Sequence, residues 1–129
     1  MGYSPEVMSK TEMTAAAQAA GFEKAVERGV KVAFGTDAGV IPHGLNARQF
    51  ALYVTHGLAP ARALQSATRW AAELMGWQDR VGSLSPGLFA DLVVVSGNPI
   101  DDIRTLESPA GVMKGGRWMI DPLSREVAP

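Results

Sequence analysis

A single carboxylate, Asp37, follows a short apolar segment over residues 30–36 and precedes a run of small residues. β-Branched residues that lead into a Gly-Thr-Asp-Ala-Gly break are typical of a buried strand that runs into a loop. Barrel and open-sheet enzymes keep their catalytic residues at the carboxyl ends of such strands. The same pattern also fits an ordinary aspartate in a turn, and the spacing alone does not distinguish the two.

Two side chains that follow this carboxylate are candidates for contact with a substrate. His43 lies in the next loop, where it either contacts substrate or bonds to backbone. Arg48 lies in the first turn of the next predicted helix, where it is either solvated or able to reach a substrate carboxylate. Asn46 is predicted to cap that helix, and His56 to lie on the surface in its last turn.

Composition limits the function classes that the chain can belong to. Its 129 residues suffice for one modest domain, and 47% hydrophobic residues allow a packed core. The net charge of −1, with scattered basic residues, predicts no nucleic-acid partner, and no apolar run is long enough to predict a membrane span. Because there are no cysteines, a thiolate metal site and a cysteine nucleophile are excluded. The compartment stays undetermined, with a cytoplasmic location slightly favoured.

The predicted elements place these side chains on an α/β arrangement. Apolar residues at steps of three and four predict a helix over residues 11–28, which Gly29 ends before the strand at 30–36. A second helix runs from Asn46 to about His56. Two short helices begin at Pro60 and at Thr68, and Gly76 is predicted to end the second. A helix that feeds an apolar strand through one glycine is typical of an α/β unit.

The last part of the chain predicts β-structure. Residues 90–95 form an apolar run that Asn98-Pro99 ends. Residues 112–119 carry Gly115-Gly116 at their centre, a pair that supplies the positive φ angles of a two-residue hairpin turn. The boundary between the helical part and the β part lies near residues 77–81.

An ordered set of segments resembles the metal-dependent amidohydrolase superfamily, most closely its imidazolonepropionase-like and Xaa-Pro dipeptidase-like members. These segments are Val32–Gly39, Pro42-His43-Gly44, Asn46-Ala47-Arg48, the helix at 63–68, Gly82–Val95 and Val112–Gly116. The resemblance implies a (β/α)8 TIM barrel beside a small β-sandwich. Residues 1–80 would be the C-terminal portion of the barrel, with its last strand and flanking helices. Residues 81–129 would be the C-terminal part of the sandwich.

The resemblance also implies a role for Asp37. In the family, the equivalent aspartate binds a divalent metal, expected here to be zinc in a binuclear site. It also takes a proton from the attacking water and passes it to the departing nitrogen. The substrate would be a small amide or peptide, or a cyclic amide, which His43 and Arg48 are candidates to contact.

The chain departs from the family pattern in its metal ligands. The family needs His-x-His on the first strand, a lysine or carboxylate on the fourth and histidines on the fifth and sixth. The chain has two histidines, both after Asp37, whereas a catalytic zinc usually has three protein ligands. Residues 2–7 resemble the middle of a loop. We therefore expect a C-terminal fragment that is inactive alone and binds no metal stably.

Two alternatives stay open at this point. A fragment that lacks the other barrel strands is expected to expose apolar surface and to self-associate or form an oligomer. Such a chain could be a non-catalytic association module. The intact enzyme could also be a phosphotriesterase, a lactonase or a deaminase, because one fold supports several chemistries.

Overall fold

The computed structural model describes residues 4–39 and 42–124. Its helices are α1 (Pro5–Glu27), α2 (Arg48–Thr55), α3 (Pro60–Ala67), α4 (Arg69–Met75) and a 3-10 helix (Ile103–Glu107). Its strands are β1 (Leu92–Val94), β2 (Gly111–Lys114) and β3 (Arg117–Ile120). They form one antiparallel sheet in the order β1-β2-β3. The predicted order of helices followed by a small β part is therefore confirmed.

Helix α1 begins earlier than its apolar pattern predicts. Ser4 precedes the helix, and its hydroxyl accepts a hydrogen bond from the Val7 amide at 3.4 Å. Pro5 occupies the first turn, where its missing N–H costs nothing. The prediction of a loop over residues 2–7 is therefore wrong from Pro5 onwards, because a serine cap and a first-turn proline start a helix without any apolar stripe. Gly29 follows the end of α1 with φ 69°, as predicted.

The predicted strand at 30–36 is wrong for the described residues. Among them, the only sheet is the one that β1, β2 and β3 form, so this segment has no strand beside it. A strand exists only where a neighbour completes its hydrogen-bond ladder. The Phe34 amide instead donates to the Ser66 carbonyl in α3 at 2.9 Å.

An aromatic cluster packs the segment at 30–36 onto the helices. The Phe34 ring stacks on Phe50 of α2 at 4.3 Å and meets the edge of Tyr53 at 5.6 Å. The Phe22 ring of α1 also stacks on Tyr53, with ring centroids 4.7 Å apart. Tyr53 belongs to the buried core with Leu58, Ala63 and Ile103. The backbone that leads to Asp37 is thus attached to α1, α2 and α3 through one apolar core.

The start of α2 differs from the sequence-based prediction. Ala47, not Asn46, occupies the N-cap position, and no side-chain hydrogen bond caps the helix. The prediction of an Asn46 cap is wrong because the Asn46 side chain forms two other hydrogen bonds, described with the site below. Helices α3 and α4 agree with prediction, since Pro60 opens α3 and Gly76 ends α4.

The hairpin between β2 and β3 has the predicted two-residue turn. Gly115 and Gly116 have φ angles of 56° and 79°, which is the positive pair that a type I′ turn requires. The Asp91 carboxylate accepts hydrogen bonds from the Lys114 ammonium and from the Gly115 amide. Asp91 therefore connects the start of β1 to the hairpin turn.

The Asp91 carboxylate is expected to make the fold sensitive to acid. Its hydrogen bond with Lys114, and then that with the Gly115 amide, lower the Asp91 pKa below the ordinary value of 3.8. Its stabilising effect is therefore complete above that value and is lost as the pH falls through the lower folded-state pKa. NMR titration should show a lowered Asp91 pKa that the Lys114→Met change raises. An unchanged pKa in that variant would contradict the assigned pairing.

Several large apolar side chains lie in solvent. Those that are more than two-thirds exposed are Met13, Leu74, Leu84, Met119 and Leu123. Self-association through such surfaces stays a prediction, as does the division into residues 1–80 and 81–129. Within the described ranges, no helix is both long and apolar enough to cross a bilayer.

Candidate active site

Asp37 lies at the end of the segment at 30–36 in an unusual backbone conformation. Its φ angle is 46°, and no other non-glycine residue in the described ranges has a positive φ. The left-handed region costs an L-residue about 1–2 kcal/mol, although aspartate tolerates it better than most. Backbone strain of this kind is concentrated at functional sites, which makes Asp37 a candidate on structural grounds as well. Its side chain is exposed to solvent.

The backbone on the amino-terminal side of Asp37 is held at two points. The Phe34 amide donates a hydrogen bond of 2.9 Å to the backbone carbonyl of Ser66, a buried residue. The Thr36 hydroxyl accepts a hydrogen bond from the Asn46 side-chain amide at 2.8 Å, in a partly buried position. The two bonds therefore fix the chain at positions 34 and 36, directly before the candidate carboxylate.

Asn46 joins both ends of the loop that contains Asp37. Its Nδ2 donates to Thr36 Oγ1, and its Oδ1 accepts from the Gly44 amide at 3.2 Å. The sequence does not reveal this connection, because an asparagine before a helix fits a cap equally well. The spacing of Thr36 and Asn46 carries no signal that the two side chains meet.

The two candidate substrate contacts occupy different surroundings. His43 is exposed in the loop that follows Asp37. The Arg48 guanidinium points toward the 3-10 helix, where its Nε lies 3.8 Å from a Glu107 carboxylate oxygen. The structure thus joins Thr36, Asn46 and the backbone at Asp37 but does not pair Arg48 with Asp37. The roles of Asp37, His43 and Arg48 in substrate or metal binding stay predictions.

His56 lies outside this site. Its Nδ1 is 2.9 Å from a Glu23 carboxylate oxygen, so it links the end of α2 to α1. Both side chains are partly exposed, at 33% for His56 and 49% for Glu23, and an exposed pair of this kind contributes little to stability. Its position supports a surface contact between helices rather than a role in chemistry.

The described residues do not by themselves fit a catalytic metal. Within residues 4–39 and 42–124, no three histidine, cysteine, aspartate or glutamate side chains come together. A catalytic zinc needs three protein ligands and one open position. Asp37 could supply one oxygen ligand, and the other ligands would have to come from outside the described residues.

Two concave surfaces formed by described residues lie away from Asp37. A cavity of about 370 Å³ follows one face of α1 from Val7 to Gln18. Another of about 230 Å³ lies between α2 and the 3-10 helix. Asp37 lines neither of them. A substrate pocket at Asp37 would therefore need walls beyond those that these two cavities provide.

Comparison with known proteins gives consistent matches over nearly the whole chain. The sequence model of the amidohydrolase family matches residues 7–119. Ochratoxinase from Aspergillus niger is 30% identical over 126 residues, which are 94% of this chain and 26% of that protein.

Two solved structures resemble the fold closely. A Xaa-Pro dipeptidase with methionine bound in its active site is 46% identical, with a TM-score of 0.78 over 80% of this chain and 25% of that one. A prolidase complexed with N-methylphosphonate-L-proline is 30% identical, with a TM-score of 0.79 over 92% of this chain and 30% of that one. The chain thus spans between 25% and 30% of the length of these relatives.

Proposed function

Because the chain belongs to the amidohydrolase family, we propose that the full-length protein that carries it hydrolyses a carbon–nitrogen bond. The observation that carries this proposal is Asp37 itself. Its carboxylate lies at the end of an anchored segment, and its φ of 46° is a backbone conformation that surrounding contacts must maintain. Six chain segments resemble the family in order, and Asp37 lies within the first of them, Val32–Gly39, which also supports its place among the family's motifs.

Asp37 acts in this proposal as the residue that moves protons. One of its carboxylate oxygens accepts a proton from the water that attacks the substrate carbonyl, and the same group then delivers the proton to the departing nitrogen. Such a base must lie within hydrogen-bond reach of the water, which favours a residue on a fixed backbone. Exposure of the side chain leaves the carboxylate accessible to both partners.

Amidohydrolases are generally metal-dependent, and a divalent metal such as zinc supplies Lewis-acid chemistry when bound. In this chain Asp37 would be one ligand of such a metal. The described residues bring together no group of three histidine, cysteine, aspartate or glutamate side chains that could complete the site. The full-length protein is therefore proposed to hold the metal, in a binuclear site, and the 129-residue chain alone is proposed not to. No catalytic step is assigned to the chain by itself.

The proposed substrate is a dipeptide with a carboxyl-terminal proline. The solved Xaa-Pro dipeptidase is the more similar of the two structures compared, at 46% identity. Arg48 is a candidate for the substrate carboxylate, because a guanidinium binds a carboxylate through two parallel hydrogen bonds. Its ion pair with Glu107 is long and its side chain is 66% exposed, so little free energy holds it there. His43 is proposed to contact the substrate from the neighbouring loop.

A panel of small substrates tests this proposal on the full-length protein. Hydrolysis is expected for dipeptides with carboxyl-terminal proline, and it should disappear with a chelator and return with added zinc. Release of free proline, measured by chromatography, reports the reaction. Preferred turnover of a phosphotriester, a lactone or an aminated heterocycle would overturn the substrate class in favour of a related chemistry.

A non-catalytic association module is the second candidate, and the exposed apolar side chains favour it. Sedimentation velocity of the 129-residue chain distinguishes the two candidates when it is combined with the substrate panel. A concentration-dependent oligomer from a protein that hydrolyses none of the substrates would support the module. A full-length protein that turns over an amide supports the enzyme, whatever its oligomeric state.

A further inference from the structure

We propose that Asn46 is a positioning residue that fixes the Asp37 carboxylate by holding the two ends of its loop together. The inference rests on the proposed function of Asp37 as the proton-transfer group. Asn46 does not itself contact the reacting atoms in this proposal. It acts through Thr36, the residue directly before Asp37, and through Gly44 on the far side of the loop.

The two hydrogen bonds of Asn46 determine how its side chain is oriented. A backbone N–H can only donate, so the Gly44 amide requires the Asn46 oxygen on its side. The Asn46 nitrogen then faces Thr36 Oγ1, 2.8 Å away, and donates to it. Each partner thus selects the same orientation of the amide. Neither alanine nor a residue with only donors could form both bonds.

The anchor of Asn46 is the helix that follows it. The Asn46 carbonyl accepts from the Gln49 amide at 3.1 Å, which joins it to the first turn of α2. Helix α2 contributes Tyr53 to the buried core and Phe50 to the aromatic cluster. Asn46 therefore connects the position before Asp37 to the helix that contributes to the buried core.

The backbone of Asp37 explains why such a connection is useful. A residue with φ 46° departs from the conformations that a free loop prefers, and surrounding contacts must maintain it. The Phe34 bond holds the chain three residues before Asp37, and the Thr36 bond holds it one residue before. Without the Thr36 bond the Asp37 carboxylate can move, while the Phe34 bond still keeps the segment attached to α3.

Variants of the full-length protein separate positioning from simple structural support. Asn46→Ala and Thr36→Val each remove the hydrogen bond between these two side chains. We expect kcat for the proline dipeptide to fall by about 10²-fold, the effect of misplacing a catalytic group by about 1 Å. KM should stay nearly unchanged. Thr36→Ser keeps the hydroxyl and should restore kcat to within a few-fold of the original. If kcat decreased as much in Thr36→Ser as in Thr36→Val, the proposal would be overturned.

Matched controls make the same chemical changes elsewhere in the chain. Asn98 also forms two side-chain hydrogen bonds in a loop, to Asp101 and to the Ile100 amide. The Thr55 hydroxyl donates to the Ala51 carbonyl within α2. Asn98→Ala and Thr55→Val should leave kcat unchanged. A decrease in these variants equal to that in Asn46→Ala would show a general effect on stability and overturn the proposal.

Hydrogen exchange separates a failure of this inference from a failure of the proposed function. The Gly44 amide should exchange slowly in the original protein and faster in Asn46→Ala. If the original protein hydrolyses no amide and Gly44 is protected, then the proposed function fails and the positioning role fails with it. If the protein is active and Asn46→Ala keeps full kcat, then only the positioning role is wrong.

Discussion

Replacement of Asp37 by asparagine is expected to lower kcat of the full-length protein about 10²–10⁴-fold, the usual contribution of general acid–base catalysis. Asparagine preserves the size of the side chain and tolerates positive φ, but it cannot accept the proton of the attacking water. Steady-state hydrolysis of a proline dipeptide measures the effect. The matched control is Asp79→Asn, which makes the same change at an exposed turn residue after α4 and should leave kcat unaltered.

A glycine at position 37 should separate catalysis from folding. With φ at 46°, Asp37→Gly relieves the left-handed strain, and thermal unfolding should show a Tm equal to or above that of the original protein. Activity should be lost as in Asp37→Asn. A large decrease in Tm for Asp37→Gly would indicate that the carboxylate has a structural role in a turn, which was the alternative that the sequence left open.

The second large effect is expected at Gly82, where the chain leaves the helices for the β part. A Cβ at this position would lie 2.8 Å from the Ala72 Cβ and 3.1 Å from the Thr68 carbonyl oxygen. Its φ of 100° adds backbone strain for any other residue. Gly82→Ala should therefore destabilise the protein by about 1–2 kcal/mol from strain and a further 1–3 kcal/mol from overpacking.

Gly87→Ala provides the matched control for Gly82→Ala. Gly87 has a similar φ of 90°, but no atom lies within 4 Å of a Cβ placed there. This variant should show only the strain, about 1–2 kcal/mol. Chemical denaturation of the two variants measures the difference, which is the steric contribution from α4. Equal losses of free energy of unfolding would show that Gly82 does not pack against that helix.

Local sequence signals predicted the elements whose causes lie within a few residues. Gly115-Gly116 specified the hairpin turn, and Pro60 and Gly76 marked the start of α3 and the end of α4. In each case one residue satisfies a backbone requirement that few others can meet. The apolar segment at 30–36 was different, since a strand depends on a neighbour that the described residues do not include.

Only part of the candidate site was predictable, because some of its contacts also depend on distant parts of the chain. Asp37 was identified because the order of motifs around it resembles a family. The hydrogen bonds of Asn46 to Thr36 and Gly44 depend on the path of the loop, and the sequence between them does not determine that path. A cap at Asn46 was the local prediction, and tertiary contacts overrode it.

A crystal structure of the full-length protein with N-methylphosphonate-L-proline would show whether Asp37 can transfer the proton of the attacking water. The tetrahedral phosphonate resembles the adduct of water and the substrate carbonyl, so one of its oxygens stands for the attacking water. We expect an Asp37 carboxylate oxygen at about 2.6–3.2 Å from that phosphonate oxygen, within hydrogen-bond reach. A bound inhibitor whose phosphonate lies well beyond hydrogen-bond reach of Asp37 would contradict it.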